Sequence, residues 1–480
     1  MDRELIHEDV QVAVARARAA QAEAALWPQA RVDDVVEAVG WQCYRDGTAR
    51  RLAALSQSET RLGDTEHLYA LHRERVLGTM RDLHGQVSTG VVEVVPDLGL
   101  RRIAKPMGVI AVASPATAPS PGIACLALAI LKTRNAAIFS PNPRARSCGQ
   151  ETVDVIRAVL DRVGAPPDLI QCVTGVGRDQ VVELMASCDF VVAVGGVGTV
   201  HRAYTSGTPA VGAGVGNPTV IVDETADVEE AARKIHTGAG YNHGTSCSSE
   251  SNALVHATVV EQFRAELLKG GAHLCTPEET ARVRSVLWVD DKSLNRDLIG
   301  RSAGEIATAA QIGVDDPEKT SVLVLDCADP RAENPILREK LAPVLTLSTF
   351  EHFDDALDLA AILTDRCGRG HSCAIHTSDL RRADRLAERV DTCRLVVNQS
   401  TSTNAGSFES GVSFSAVLSS GTWGGGSVSG NVTWRHFLNH TTITVPIPEH
   451  RPSEEALFGR HWSSEIKQDE LPHAAAAQPR

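Results

Sequence analysis

Short apolar runs alternate with amphipathic stretches along most of the chain. In the first half, the runs GVIAVA (108–113), AAIFS (136–140) and FVVAVGG (190–196) are each followed by a segment whose apolar residues have helical spacing. The same alternation returns in the second half, at SVLVLD (321–326) and VLTLS (344–348). Strands and helices that alternate in this way are typical of parallel sheets with right-handed crossover connections. The pattern therefore predicts an α/β fold with two such units.

The first hundred residues have a different pattern. Residues 3–25, 31–55 and 64–82 have helical apolar spacing, and Pro28 separates the first two segments. We expect these helices to pack on a sheet; for the N-terminal one, a targeting or encapsulation peptide is the alternative. Residues 86–104 contain VVEVV and LRRIA on either side of a Pro-Asp-Leu-Gly turn, which predicts a β-hairpin. The hairpin has no apolar partner near it in the sequence, so we expect it to pack on another subunit.

Composition narrows the function classes. A chain of 480 residues is too long to form a single ordinary hydrophobic core, so it should have more than one domain. Its composition, with 43% hydrophobic and 22% charged residues, is typical of a globular enzyme. The net charge of −13 argues against a nucleic-acid partner. No apolar run reaches the roughly 18–20 residues of a membrane span, and the N-terminus does not resemble a signal peptide. The eleven cysteines form no CxxC pair and no metal-binding spacing, which predicts free thiols, no metal and a cytoplasmic protein.

Three predicted strands of the first unit end in segments that suit a ligand, namely Ser114–Pro119, Ser140–Arg144 and Gly195–Thr199. Ligands of open parallel sheets bind at the carboxyl ends of the strands. The glycines of GGVGT would let a phosphate approach backbone N–H groups, but a plain tight turn explains them equally well because no spaced GxGxxG is present. Arg144 could likewise contact a phosphate or cap a solvated loop.

One cysteine differs from the other ten in its surroundings. Cys247 lies in YNHGTSCSSE, a run of small and polar residues between the two units, whereas Cys125, Cys172 and Cys327 lie in apolar runs that are typical of buried cysteines. A cysteine in such a loop can be exposed, and nearby backbone N–H groups can lower its pKa. No Gly-x-Ser-x-Gly elbow competes with it as a nucleophile. Cys247 is therefore the candidate nucleophile of the chain.

Between about residue 30 and residue 450 the chain resembles the aldehyde dehydrogenase superfamily, and within it the coenzyme A-acylating branch. Six blocks carry this resemblance in order: KPMGVIAVASPATAP, LKTRNAAIFSPNPRA, AVGGVGTVHRAYTSGTPAVGAGVGNPTVIVDETAD, NHGTSCSSES, REKLAPVL and GTWGGGSVSGNVTWRHFLN. The resemblance implies two Rossmann-like α/β domains plus a β-hairpin oligomerisation arm. The implied boundaries are 1–85 and 105–238 for a cofactor-binding domain, 239–430 for a catalytic domain, 86–104 and 431–450 for the arm, and 451–480 for a C-terminal tail.

The resemblance also implies roles for two catalytic residues. Cys247 matches the nucleophile of the family. Thr117 falls where hydrolytic members have an asparagine that helps to stabilise the oxyanion, and the backbone N–H of Cys247 would be the second donor. Acylating relatives usually have Thr-Asn-Pro where this chain has Thr117-Ala118-Pro119, so the contribution of that asparagine is absent here.

A nicotinamide cofactor, NAD or NADP, is implied by further matches. Glu339 matches the glutamate that binds the nicotinamide ribose. The remaining matches are Ser140 and Pro141 in the cofactor loop, and Gly195 and Gly196 at the pyrophosphate turn. Where many NAD enzymes have a ribose-binding acid, this chain has Pro143 followed by Arg144, so nothing there repels the 2′-phosphate of NADP.

One missing residue bears on the second substrate. Hydrolytic members have a glutamate that acts as a general base for water, and the aligned position here is Gly212. Water is a poor nucleophile at neutral pH, whereas the thiol of coenzyme A is partly ionised and intrinsically far more nucleophilic. The sequence therefore predicts an aldehyde dehydrogenase that transfers the acyl group to coenzyme A, reversibly, through a Cys247 thioester.

The substrate and two other functions remain open at this point. The N-terminal region is most similar to sulfoacetaldehyde-type acylating enzymes, which implies sulfoacetaldehyde or another short aldehyde as the substrate. A hydrolytic enzyme that uses His243 or Glu250 as its base is the first alternative, and an inactive structural or cargo subunit is the second. We expect a homodimer or homotetramer, with no nucleic-acid or membrane partner.

Overall fold

The computed structural model describes residues 3–175 and 177–462, with side chains from residue 10 onward. Its α-helices are α1 (Arg3–Ala24), α2 (Gln29–Tyr44), α3 (Asp46–Thr60), α4 (Thr65–Leu83), α5 (Pro119–Lys132), α6 (Arg146–Arg162), α7 (Arg178–Ser187), α8 (Val197–Tyr204), α9 (Val228–Gly240), α10 (Val260–Lys269), α11 (Pro277–Leu287), α12 (Ala303–Ala309), α13 (Phe353–Arg366), α14 (Leu380–Arg389) and α15 (Glu454–Phe458). Most of the predicted C-terminal tail, from residue 463 onward, lies outside the described residues.

The strands form four sheets. They are β1 (Gly90–Val95), β2 (Leu100–Pro106), β3 (Val109–Ser114), β4 (Ala136–Pro141), β5 (Ile170–Cys172), β6 (Phe190–Val194), β7 (Ala210–Ala213), β8 (Thr219–Val222), β9 (Asn252–His256), β10 (Ala272–Leu274), β11 (Val322–Asp326), β12 (Val344–Phe350), β13 (Cys373–His376), β14 (Leu395–Val397), β15 (Leu418–Ser420), β16 (Ser429–Asn431) and β17 (Leu438–Thr444). The α/β class and the parallel arrangement predicted from the sequence are confirmed.

The first unit is a five-stranded parallel sheet with the order β5-β4-β3-β6-β7. Its central strands β3 and β4 are buried along their whole length, because helices cover both faces. Helix α5, which is apolar nearly all round, packs on β4 together with α6 and α1. The carboxyl ends of β3, β4 and β6 thus lie side by side at one edge of this sheet.

The second unit is a seven-stranded parallel sheet with the order β10-β11-β12-β9-β8-β13-β14. Strand β8 lies at its centre, between β9 and β13, although the sequence had placed residues 219–222 with the first unit. The chain therefore crosses from one sheet to the other between β7 and β8, through residues 214–218. This crossing passes directly under the loop that contains Cys247, as described below.

A third, antiparallel sheet consists of β1, β2 and β17. The predicted hairpin of residues 86–104 supplies its first two strands, with Gly99 in the left-handed conformation that its turn requires. Strand β17 adds to β2 from the other end of the chain, as the predicted grouping of residues 431–450 with the hairpin implied. The face of this sheet exposes Val91 and Val94, with 46% and 55% of their surface accessible.

Some local predictions were wrong. The helix predicted over residues 31–55 is two helices, because Arg45 leaves the helical conformation with ψ near 143°. Two glycine-rich segments, around Gly212 and over residues 420–431, do not have the sequence pattern of a strand, yet they contribute to the edge strand β7 and to the small antiparallel pair β15–β16. Each of these segments is short, and its own pattern is weak beside the contacts that it makes in the fold.

Helix α1 packs on the first unit rather than standing apart from it. From residue 10 onward, its apolar side chains Val10, Val14 and Ala17 are buried, and Arg18 forms an ion pair with Asp189 at 2.9 Å. These contacts account for the amphipathic pattern of the helix. Among the described residues, no helix combines the length and the apolar character that crossing a membrane requires.

Candidate active site

The loop that contains Cys247 begins at the end of α9 and is held in an uncommon backbone conformation. Asn242 and His243 both have left-handed backbone angles, with φ of 48° and 54°. The buried side chain of Asn242 fixes this turn, because its amide donates to Thr245 Oγ1 at 2.7 Å and its carbonyl accepts from the N–H of Asp64 at 3.0 Å. Backbone strain of this kind is found where a fold must place one residue accurately.

The segment that connects the two sheets, residues 214–218, packs against the same loop. A Cβ atom on Gly216 would lie 1.9 Å from the carbonyl oxygen of Cys247, so only glycine allows this close approach. The N–H of Gly216 donates to Glu339 Oε1 at 2.8 Å. Gly216 thereby joins the predicted nucleophile and the predicted ribose-binding glutamate, which are far apart in the sequence.

His371 contacts the nucleophile, although no motif in the sequence points to this histidine. Its Nε2 lies 3.2 Å from Cys247 Sγ, and its Nδ1 lies 2.7 Å from Ser372 Oγ. If Nδ1 carries the proton and donates to Ser372, then Nε2 is free to accept the thiol proton. The carbonyl of His371 accepts from Arg394 Nη2 at 2.6 Å, which fixes the residue just before β13.

Both members of this pair are neutral in the enclosed site. Burial, with a smaller contribution from the nearby Glu339, raises the pKa of Cys247 to about 12. Burial also lowers the pKa of His371 to about 3, with Arg394 adding to the effect. The expectation that loop N–H groups would lower the pKa of Cys247 was therefore wrong in net sign, because desolvation of the thiolate outweighs them. A base must remove the thiol proton as Cys247 reacts, and His371 is in position to do so.

Cys247 opens into a cavity of about 320 Å³ whose walls come from both units. Thr117 also lines it, so the structure brings together the two residues predicted for catalysis. The hydroxyl of Thr117 has no hydrogen-bond partner among the described residues. Ser114, at the end of β3, lines the same cavity and has a buried hydroxyl without a partner. A polar ligand in the cavity would satisfy such groups.

The residues predicted to bind the cofactor lie at the carboxyl edge of the five-stranded sheet. In the register of that sheet Pro141 pairs with Ser114, and Gly195 and Gly196 follow the adjacent strand β6. Gly196 is the N-cap of α8 and has open space where a Cβ would be, which leaves the helix N-terminus accessible to a phosphate. Ser140 is buried at the end of β4. The open N-terminus of α8 thus lies beside the ends of β3 and β4 at this edge of the sheet.

Two of the predicted cofactor residues need separate description. Arg144 lies on an exposed turn, where its Nη2 donates to the carbonyl of Thr60 at 2.9 Å. Glu339 adjoins Cys247 across Gly216, and burial raises the pKa of its carboxyl group to about 8. A carboxylate in this position gains from hydroxyl donors, as a ribose would provide.

Comparison with known sequences shows the family of the chain. The profile described as "Aldehyde dehydrogenase family" matches residues 3–439. The chain belongs to the aldehyde dehydrogenase family. It is 38% identical over 451 residues to a sulfoacetaldehyde dehydrogenase (acylating) of Bilophila wadsworthia, which covers 93% of this chain and 97% of that one.

Two further relatives agree with this assignment. The chain is 34% identical over 448 residues to a succinate-semialdehyde dehydrogenase (acetylating) of Clostridium kluyveri, covering 93% of this chain and 98% of that protein. A crystal structure of an acetylating aldehyde dehydrogenase from Geobacillus thermoglucosidasius superposes with a TM-score of 0.89 at 30% identity, covering 94% of this chain and 99% of the other. The predicted fold and the resemblance to the acylating branch of the family are confirmed.

At the position where hydrolytic members of the family have their glutamate, this aldehyde dehydrogenase has a glycine whose surroundings leave little room for a side chain. Gly212 lies in β7, and a Cβ there would be 3.0 Å from Val200 Cγ1 and 3.2 Å from the carbonyl of Ala193. Its N–H donates to the hydroxyl of Tyr204 at 3.0 Å. A carboxylate base could not be added at this position without moving its neighbours.

The two alternative bases considered from the sequence lie in different environments. His243 turns its Nδ1 to the carbonyl of Gly300, at 3.2 Å, and is not among the residues that line the cavity. Glu250 is buried beside Cys247, where its Oε1 accepts from the N–H of Thr401 at 2.6 Å and its Oε2 has no partner. Burial raises the pKa of Glu250 to about 7, against the opposing effect of its hydrogen bonds. Of the two, only Glu250 lies next to the nucleophile.

The buried carboxyl of Glu250 predicts a pH dependence of stability. Its pKa in the folded state, about 7, exceeds the ordinary 4.5, so its stabilising contribution is complete below about pH 4.5 and is lost as pH rises through about 7. The difference corresponds to about 3 kcal/mol. We expect Glu250→Gln to reduce the fall in melting temperature that wild type shows between pH 5 and pH 8 in calorimetry. Exposed Glu388→Gln is the control, and an unchanged pH profile in Glu250→Gln would contradict the assignment.

One cluster of potential metal ligands lies away from this site. His273, Cys275 and Glu279, near β10, have ligand atoms within 4.8 Å of one another. Glu279 Oε2 accepts from the N–H of Thr276 at 2.9 Å and lies 3.2 Å from His273 Nε2. Glu279 and Thr276 form the capping box at the start of helix α11, and this local role explains why the three side chains lie together.

Proposed function

We propose that this chain is a coenzyme A-acylating aldehyde dehydrogenase. In the proposed reaction an aldehyde, NAD(P)⁺ and coenzyme A give an acyl-CoA, NAD(P)H and a proton, and the reaction is reversible. The observation that carries the proposal is the contact between His371 and Cys247, which lines the cavity, together with a glycine at position 212, where hydrolytic members have their carboxylate base. The names of the relatives described above support the same activity.

The first step is addition of Cys247 to the aldehyde. As the bond from Sγ to the carbonyl carbon forms, His371 Nε2 takes the thiol proton, which avoids a free thiolate whose pKa is about 12. The oxyanion is stabilised by the hydroxyl of Thr117 and the backbone N–H of Cys247. Donors of this kind are commonly worth about 3–4 kcal/mol each.

The residues at the sheet edge and Glu339 would bind the nicotinamide cofactor beside this adduct. They are Ser140, Pro141, Gly195, Gly196 and Glu339, with Arg144 adjoining the expected position of the adenosine ribose. When bound, the cofactor supplies the hydride acceptor. Because no acid lies next to Pro143, both NAD and NADP fit the proposal.

The acyl group then leaves Cys247 as a thioester with coenzyme A. Water in the cavity lacks the glutamate that activates it in hydrolytic members, while a thiol is a strong nucleophile without such help. The proton that His371 took from Cys247 leaves as the proton released in the overall reaction; when the thiol of coenzyme A attacks, its own proton passes through His371 Nε2 to the departing sulfur of Cys247. The enclosed, partly apolar cavity also keeps the acyl-enzyme away from bulk water.

The named substrates of the relatives suggest which aldehyde the cavity accepts. The Bilophila protein is named for sulfoacetaldehyde and the Clostridium protein for succinate semialdehyde. Both compounds are short aldehydes that carry an anionic group. We infer that the present enzyme also acts on sulfoacetaldehyde or another short aldehyde, in the cytoplasm, where its eleven free cysteines would remain reduced.

A panel of aldehydes tests this function. Sulfoacetaldehyde, succinate semialdehyde, acetaldehyde and propionaldehyde are each assayed with NAD⁺ and with NADP⁺, in the presence and absence of coenzyme A. Steady reduction of the cofactor that requires coenzyme A, with acyl-CoA as the product, is the expected result. If no aldehyde supports reduction of either cofactor, the alternative of an inactive structural subunit is correct instead.

A hydrolytic reaction is the second candidate, and Glu250 is the observation that favours it. A carboxyl group with a pKa of about 7, buried beside Cys247, has the basicity that a general base for water needs. In that case a carboxylate would form at a steady rate without coenzyme A, and Glu250→Gln would stop its formation. The coenzyme A requirement in the panel decides between the two reactions.

We further propose that the antiparallel sheet of β1, β2 and β17 joins two copies of the chain. The exposed Val91 and Val94 would be costly to leave in water, and β1 is an unpaired edge strand. We expect light scattering to give the mass of a dimer or tetramer, and Val94→Glu to lower it. Val289→Glu, at another exposed valine, is the control. A monomeric wild type would contradict the proposal.

A further inference from the structure

One cation inside the cavity has no anionic partner. Arg75, on helix α4, lines the cavity that contains Cys247. Its Nη1 donates to the carbonyl of Ala405, and its Cζ lies 5.8 Å from the centre of the Phe414 ring. A guanidinium has five N–H donors, and no other acceptor among the described residues binds those of Arg75. Arg75 is half-buried and forms no ion pair with a described side chain, although the charge of the exposed Glu74 acts on it, so the site favours an anion from outside the chain.

The other charged residues that line the cavity do not fill this role. Arg233 and Lys234, on α9, both bind Glu230, at 2.7 Å and 3.4 Å. Arg233 is exposed and so lies at the mouth of the cavity. Glu74, next to Arg75 in α4, is exposed and forms no ion pair with it among the described side chains. Arg75 is therefore the cation that is both inside the cavity and available.

Arg75 is also within electrostatic range of the nucleophile. Its charge acts on the sulfur of Cys247 and opposes, weakly, the effect of burial on the pKa of that thiol. A substrate whose carbonyl carbon meets the sulfur can therefore direct its other end toward the guanidinium. For a short aldehyde, two fixed ends leave little freedom, and this orientation favours attack by Cys247.

We propose that Arg75 binds the anionic end of the aldehyde, so that the cavity selects short aldehydes that carry a sulfonate or a carboxylate. The proposal rests on the acylating activity proposed above and names the residue that would determine its substrate class. A guanidinium suits this role because its planar donors match two oxygens of a carboxylate or a sulfonate. Neutral aldehydes of the same length would bind without this contact.

The test compares Arg75→Met with wild type on one anionic and one neutral aldehyde. We expect kcat/KM for sulfoacetaldehyde to fall about 100-fold, as for the loss of one partner of a buried charge pair. The value for propionaldehyde should change less than about 3-fold, and Arg75→Lys should recover part of the sulfoacetaldehyde activity. Arg282→Met, at an exposed arginine of α11 that does not line the cavity, is the matched control and should leave both values within about 3-fold of wild type.

Inhibition by isethionate measures binding of the anionic group alone, so it does not require a comparison of turnover between two aldehydes. This compound has the sulfonate and chain length of sulfoacetaldehyde but an unreactive alcohol. It should compete with the aldehyde in wild type, and its inhibition constant should rise about 100-fold in Arg75→Met.

Two results would overturn the inference. One is an equal loss of kcat/KM for anionic and neutral aldehydes in Arg75→Met, which would indicate a structural role through Ala405. The other is unchanged inhibition by isethionate in that variant. Failure of the proposed function is distinguishable, because then wild type would form no acyl-CoA from any aldehyde.

Discussion

Replacing Cys247 with alanine is expected to abolish acyl-CoA formation, with a loss of kcat of about 10⁴-fold or more, as when the nucleophile is removed from other enzymes with covalent intermediates. Cys125 also lines the cavity, but it lies within helix α5, where burial raises its pKa to about 11, and its sulfur forms no hydrogen bond with a histidine among the described residues. The loss should affect kcat rather than folding, because alanine is smaller than cysteine and the loop is held by Asn242 and Gly216. Rates of cofactor reduction with the best aldehyde and coenzyme A provide the measurement.

The matched control for this variant is Cys172→Ala. Cys172 is partly buried on β5, and burial raises its pKa to about 12, but it does not line the cavity. We expect this variant to keep activity within about 3-fold of wild type, since it removes only a small apolar group. Turnover of Cys247→Ala at a rate near that of wild type would show that the nucleophile has been misassigned.

Replacing His371 with alanine should have the next largest effect, a loss of kcat/KM of about 10²–10⁴-fold, which is the usual contribution of a general base. Without the imidazole, only the small fraction of Cys247 that is ionised can attack, because burial raises the pKa of that thiol to about 12. The residual activity should therefore rise about tenfold per pH unit between pH 7 and pH 9. In wild type the rate should not rise with pH in this way, because His371 accepts the proton of Cys247 during the reaction.

A second buried histidine serves as the control. His376 is the last residue of β13, where burial lowers its pKa to about 4, and it does not contact Cys247. We expect the activity of His376→Ala to have the same pH profile as wild type. Calorimetry of this variant checks in parallel that it is folded. If His371→Ala kept the flat profile, another group would have to be the base for Cys247.

The sequence was sufficient for the parts of the site that depend on local pattern. Cys247 stood out because its loop is polar where other cysteines have apolar neighbours, whereas Thr117 was implied only by the resemblance to the family. The parallel strands of both units were recognisable because each is a short apolar run between helices. These features are encoded within a few residues of where they act.

The features that sequence reasoning missed depend on contacts between distant segments. His371 is 124 residues from Cys247, and it reaches the sulfur because β13 pairs with β8 in the centre of the second sheet. Strand β8 itself was assigned to the wrong sheet, because a buried parallel strand has the same pattern in either one. The raised pKa of Cys247 results from burial by segments that are distant in the sequence, so no local motif could predict it.

Trapping of the acyl-enzyme tests the central claim most directly. Enzyme is mixed with its aldehyde and NAD(P)⁺ without coenzyme A, and cofactor reduction and peptide masses are recorded before and after coenzyme A is added. The account predicts a burst of about one reduced cofactor per subunit, an acyl group on the peptide containing Cys247, and its release as acyl-CoA on addition of the thiol. Continuous turnover to the carboxylate without coenzyme A, or an acyl group on a different residue, would contradict it.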